Sequence, residues 1–177
     1  MGSIKKIMVA YGTRPEAIKL APVIQLLRAD SRFQTLIVST GQHREMVNQV
    51  TDIFGFKPDI DLALMHKRQP LNRILSRSLK GLDHVLKQHK PDAVLVQGDT
   101  STAASAALAG FNRRSKIVHL EAGLRSFDLG SPFPEEANRK IISAIATCHL
   151  PPTQQAKNNL LKEGIQELSL IHISEPT

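Results

Sequence analysis

The sequence predicts an α/β domain built on a doubly wound parallel sheet, and three observations carry that expectation. Apolar runs of four to seven residues alternate with helix-spaced segments from end to end, which is the pattern of βαβ units. The strand-like runs show no polar alternation, as fits strands covered on both faces. Five of the junctions where a run gives way to a helix carry polar clusters. In such folds ligands bind beyond the carboxyl ends of the strands.

The first run, 4–10, is apolar and is closed by Tyr11-Gly12. Pro15 opens a helix with Ile18, Ala21, Val23, Ile24 and Leu27 on one broad face. Proline suits a first turn because its missing N–H has no intrahelical partner there. Residues 35–40 are β-rich, and 42–54 return to helical spacing before Gly55. Leu71, Ile74, Leu75, Leu79, Leu82, Val85 and Leu86 form the clearest amphipathic helix, read as core packing. A strand over 93–96, an alanine-rich helix over 101–111 and a strand over 117–120 follow. A helix from Pro134 to about Ala146, a short apolar segment around Cys148 and Leu150, and a last helix over 154–163 complete the pattern. Gly164 stops that helix, and no internal repeat or low-complexity tract interrupts the chain.

Composition narrows the function classes. The 177 residues carry 23 Lys+Arg against 16 Asp+Glu, a net charge of +7, with 41% hydrophobic residues and a mean hydropathy of −0.16. That suits one globular domain, which typically takes ~100–200 residues. No apolar run reaches the ~18 residues of a membrane span, and the N-terminus lacks a signal peptide's apolar core. Met1-Gly2-Ser3 reads as a short lead-in rather than a myristoylation signal. The single cysteine, Cys148, excludes a disulfide framework and a cysteine-based zinc site and reads as a small core residue. A cytoplasmic protein without a membrane partner is expected. The positive charge could draw nucleic acid, acidic lipid or a phosphorylated metabolite. With 4% aromatics and no Trp, the stacking platforms of single-strand binders are absent, and the metabolite is favoured over nucleic acid.

Each polar cluster has a plain structural reading beside a functional one. Gly12-Thr13-Arg14-Pro15-Glu16, with Lys19 one turn on, is either an ordinary strand-to-helix turn or a phosphate site of free N–H groups and two cations. It is neither a dinucleotide fingerprint nor a Walker loop. Gly98-Asp99-Thr100 either caps a helix or presents a carboxylate as a base or a sugar-hydroxyl acceptor. Glu121, ending a strand before Gly123, is either neutralised by a nearby arginine such as Arg125 or serves chemistry. His119 is expected to face a neighbouring layer. Glu135 and Arg139 stand at i, i+4 in a helix whose first turn is acidic, as the helix dipole favours. Taken together, Asp99, Glu121 and Glu135 would converge with Arg14, Lys19 and Arg139 on one rim, which suits a sugar joined to a diphosphate.

The stretches Gly12–Lys19, Gln42-His43-Arg44-Glu45-Met46, Gln97-Gly98-Asp99-Thr100, His119-Leu120-Glu121-Ala122-Gly123-Leu124-Arg125 and Ser131-Pro132-Phe133-Pro134-Glu135-Glu136-Ala137-Asn138-Arg139 resemble the bacterial non-hydrolysing UDP-N-acetylglucosamine 2-epimerases, in order and spacing, over about 4–165. The resemblance implies the N-terminal Rossmann-like half of a GT-B-type two-domain fold. It implies interconversion of UDP-N-acetylglucosamine and UDP-N-acetylmannosamine for cell-envelope polysaccharides. The route implied is elimination of UDP to 2-acetamidoglucal and re-addition, with no cofactor and no metal. Asp99, Glu121 and Glu135 become acid/base candidates, while Arg14, Lys19 and Arg139, with Asp99 and Glu121, become substrate-binding ones. A second UDP-N-acetylglucosamine molecule, as allosteric activator, would meet Gln42, Arg68, Gln69 and Glu135. A homodimer is expected of the full-length form.

Residues 1–165 are read as this N-terminal domain and 166–177 as an atypical tail resembling a translated adapter or frame-shifted end. The alternating apolar residues of that tail could still pair on a sheet edge. The family's C-terminal domain is absent from the pattern, so little turnover is expected of the chain alone. The alternatives are a hydrolysing 2-epimerase or a GT-B glycosyltransferase fragment, and, from another class, a basic module binding nucleic acid or a protein.

Overall fold

The computed structural model describes residues 3–41, 50, 52–64 and 69–170. In chain order they form β1 (Lys5–Tyr11), α1 (Arg14–Ala29), β2 (Phe33–Ser39), β3 (Ile60–Asp61), α2 (Leu71–His89), β4 (Ala93–Gln97), α3 (Ser101–Asn112), β5 (Lys116–Leu120), α4 (Glu135–Ile145), β6 (Cys148–Leu150) and α5 (Gln154–Lys162). A 3₁₀ turn, Glu167–Ser169, follows. The six strands lie in the order β3-β2-β1-β4-β5-β6, and every pairing is parallel. The sheet is therefore Rossmann-like. Its order reverses between β1 and β4, where folds of this type open a crevice above the strand ends.

The strands lack polar alternation because both faces are covered. On β1 and β4, Met8, Ala10, Val94 and Val96 point into one core with α2, α3 and α4. Val9, Tyr11 and Leu95 point into the other, filled by Ala17, Leu20, Ala21 and Ile24 of α1. Helix α3 is buried along nearly its whole length, and its small residues let it lie close on the sheet. A Cβ on Gly110 would stand 2.7 Å from Ile117 Cδ1 and 2.8 Å from Val94 Cγ2. The expected amphipathic helix is present as α2, which buries Leu82, Val85 and Leu86, whereas Leu71 and Leu75 at its start stay exposed.

Some expectations shift. Strand β3 has two residues, too short to leave a periodic signal. The helix expected over 42–54 lies largely outside the described residues. Cys148 is half-buried on edge strand β6 rather than in the core, and burial pushes its thiol pKa up. Beyond 165, Leu170 bridges His149 in parallel at the sheet edge, and 171–177 are not among the described residues. Among the described residues no helix is long and apolar enough to cross a membrane.

Candidate active site

A cavity of about 410 Å³ opens above the carboxyl ends of β1, β4 and β5, and Thr13, Glu16, Lys19, Gln97, Asp99, Thr100, Glu121 and Arg139 help line it. Of the residues singled out from sequence, Lys19, Asp99, Glu121 and Arg139 are brought together there. Lys19 Nζ lies 2.7 and 2.6 Å from the two carboxylate oxygens of Glu121. Gln97 Nε2 donates to the same carboxylate. Across the cavity Arg139 donates from Nε to Asp99 Oδ2 at 2.8 Å, and its Nη2 stands 2.5 Å from that oxygen. Asn138 Nδ2 donates to the backbone carbonyl of Asp99 at 2.8 Å. The start of α4 is thus docked onto the turn between β4 and α3.

Glu16 organises the floor. It is buried, and its Oε2 accepts from the Gly12 and Thr13 backbone N–H groups and the Thr13 hydroxyl. Its Oε1 accepts from the Thr100 hydroxyl at 2.7 Å, and Thr100 in turn caps α3 by accepting from Ala103 N–H. Burial pushes the Glu16 carboxyl pKa up, against those donors. This corrects the N–H part of the expected phosphate site, because the Gly12 and Thr13 N–H groups already belong to Glu16; the two cations are not engaged by Glu16. Thr13-x-x-Glu16 has the spacing of a capping box, the sequence signal that foretells this. Gln97 gives no such signal; its role appears only where β4 ends beside β5.

Two further expectations are corrected. Arg125 does not neutralise Glu121: its enclosed side chain pairs with Glu163 at 2.7 Å and donates to Ser143 Oγ. Gly123 turns the chain between the two residues, carrying Arg125 toward the end of α5. Arg139 pairs with Glu136 at i, i+3 rather than with Glu135. Glu136 is buried and also accepts from the Ser126 and Phe127 N–H groups, fixing the loop after β5. Burial pushes the Glu136 pKa up, but these donors and Arg139 outweigh it and hold it low.

The remaining residues fall apart from the cavity wall. Glu135 begins α4 half-buried and Arg14 is exposed on the first turn of α1; neither lines the cavity. Gln42 and Arg68 lie outside the described residues. The Gln69 side-chain amide is enclosed, with no hydrogen-bond partner for either polar atom among the described residues. His119 is buried beneath the site, its Nε2 2.8 Å from the Gly98 carbonyl oxygen. Among the described residues no three His, Cys, Asp or Glu side chains are grouped to hold a metal ion.

A family model for UDP-N-acetylglucosamine 2-epimerase matches residues 25–176. This chain belongs to that family. The UDP-N-acetylglucosamine 2-epimerase of Yersinia pestis is 48% identical over 162 residues, 92% of this chain and 43% of the relative. The chain therefore spans less than half the length of the curated relatives it matches. Among solved epimerases, the Neisseria meningitidis UDP-GlcNAc 2-epimerase bound to UDP-GlcNAc is 45% identical with a TM-score of 0.92, over 94% of this chain and 45% of that one. The Methanocaldococcus jannaschii enzyme in complex with UDP-GlcNAc and UDP is 35% identical with a TM-score of 0.89, over 94% and 46%. The sheet described above thus corresponds to about half of these GT-B-type epimerases.

Proposed function

We propose that the cavity is the proton-transferring side of a UDP-N-acetylglucosamine 2-epimerase of the non-hydrolysing kind. The reaction is interconversion of UDP-N-acetylglucosamine and UDP-N-acetylmannosamine in the cytoplasm. The observation that carries the reading is the pair of facing ion pairs, Lys19 with Glu121 and Arg139 with Asp99, on adjacent strand ends around one cavity. Inverting C2 through 2-acetamidoglucal requires one group to remove the C2 proton and another to return a proton to the opposite face. Asp99 and Glu121 are the two carboxylates so disposed, and Glu135 is the third candidate at the start of α4.

The eliminated diphosphate needs cations to carry its growing charge. Lys19 and Arg139 lie within the cavity for that purpose, and Arg14 stands on the turn before Lys19. In this reading the diphosphate draws Lys19 from Glu121, so that binding of the nucleotide releases a carboxylate for proton transfer. Complexes of relatives with UDP-GlcNAc and UDP support the ligand class. The enclosed Gln69 amide, without a hydrogen-bond partner among the described residues, supports a second ligand contact, for which Glu135, Gln42 and Arg68 are the other candidates. The full-length form acts as a homodimer in this account.

Turnover tests the reading. A full-length form incubated with UDP-N-acetylglucosamine in D₂O yields UDP-N-acetylmannosamine carrying deuterium at C2, and this chain alone yields little or none. Free N-acetylmannosamine as product would show the hydrolysing reaction instead, and equal rates from the two forms would refute the need for a second half.

A further inference from the structure

Gly98 and Glu121 follow the neighbouring strands β4 and β5, and both have left-handed backbone, with φ of +69° and +64°. Glycine takes that conformation freely, whereas a glutamate holds it only where its surroundings fix it. Two hydrogen bonds lace the turns together. Gly98 N–H donates to the Leu120 carbonyl at 3.0 Å. His119 Nε2 meets the Gly98 carbonyl oxygen at 2.8 Å, and since a carbonyl oxygen only accepts, Nε2 carries the hydrogen.

The ring is fully buried, and its Nδ1 has no partner among the described residues. Burial, helped by the positive charge of Arg125, lowers its pKa to about 4 and keeps it neutral. A buried imidazole with one nitrogen unpartnered is costlier than an apolar side chain of similar size. What it supplies in return is one directional bond, at the peptide that precedes Asp99. The Asp99 carbonyl and carboxylate are held separately by Asn138 and Arg139.

We propose that His119 is a positioning residue: its Nε2–H fixes the Gly98–Asp99 peptide and thereby sets Asp99 against Glu121 across the cavity. This rests on the proton-transfer reading of those carboxylates and adds the group that keeps them in register.

Nitrogen NMR of the labelled chain tests it directly. His119 is expected as the Nε2–H tautomer, with a scalar coupling through the hydrogen bond to the Gly98 carbonyl carbon. His119→Gln keeps a donor near that point, and His119→Leu fills the space without one. Leu is expected to move the Gly98 and Asp99 amides and the Asp99 and Glu121 carboxyl resonances, and to weaken UDP-N-acetylglucosamine binding about tenfold. Gln is expected to leave the resonances near their wild-type positions and binding within about twofold. An Nδ1–H tautomer, a missing coupling, or Leu and Gln behaving alike would overturn the proposal. If both variants fail to fold, the tautomer and coupling in the wild-type chain still decide it. If the wild-type chain binds no UDP-N-acetylglucosamine, the functional reading falls while the resonances still judge His119.

Discussion

Lys19 and Glu121, 102 residues apart in sequence, meet with the ammonium 2.7 and 2.6 Å from the two carboxylate oxygens. The pair spans the crevice at the point where the strand order reverses, between an α1 that follows β1 and the end of β5. Lys19 remains half-exposed at 51%, so the pair adds little to stability, and under the proposed function it exchanges with the ligand.

Lys19→Met therefore separates binding from folding. Exposed ion pairs contribute about 0–1 kcal/mol, so urea midpoints should barely move. UDP-N-acetylglucosamine binding, measured by calorimetry, should fall about tenfold or more, as a charge-assisted contact to phosphate is lost.

Glu16→Gln should do the reverse and damage the fold. Glutamine sets its NH₂ against hydrogens of Gly12, Thr13 or Thr100, which now donate to the carboxylate. A loss of about 2–4 kcal/mol is expected in chemical denaturation. Because burial raises the Glu16 pKa, its contribution is fullest below the ordinary carboxylate range and declines as pH rises through the folded value. The stability gap between wild type and variant should narrow over that rise.

His119 gives the opposite slope. With its pKa lowered from 6.5 to about 4 by burial first, the folded state resists the proton that the unfolded chain accepts. Stability is fully present above pH 6.5 and is lost as pH falls toward 4, by on the order of 3 kcal/mol for this group. His149, lowered chiefly by burial as well, adds to the same window. His119→Gln should flatten the fall in thermal-melt series across these pH values, leaving the share due to His149.

Gly123→Ala should be the most damaging of the single changes. Gly123 has φ of +88°, and a Cβ there would stand 2.2 Å from the Ala156 carbonyl oxygen, which is backbone and does not yield. A destabilisation of about 3 kcal/mol or more is expected, read as a lowered melting temperature. The Asn159 side chain, which donates to the Gly123 carbonyl, should lose its protected amide hydrogens.

The fold was legible because its elements are long and strongly patterned. The unalternating runs on β1, β4 and β5 and the moment of α2 follow from burial on two faces and on one. Two-residue β3 left no period to read. At the rim, residue types and their positions after strands were readable, and Lys19, Asp99, Glu121 and Arg139 do line one cavity. Pairings were not. Arg125 sits four residues from Glu121, yet Gly123 reverses the chain between them and Arg125 meets Glu163. Glu135 has helical spacing to Arg139, but Asp99, 40 residues away, takes that guanidinium. Such partners depend on which strand ends lie side by side, and that order is a property of the assembled sheet.

If these strand ends grip a nucleotide sugar, an amide and side-chain NMR titration of this chain with UDP-N-acetylglucosamine registers that grip residue by residue. Saturating shifts are expected at Lys19, Gly98, Asp99, Glu121 and Arg139, with the Lys19 ammonium leaving Glu121. Shifts confined to the opposite rim of the sheet, or none at saturating ligand, would contradict it.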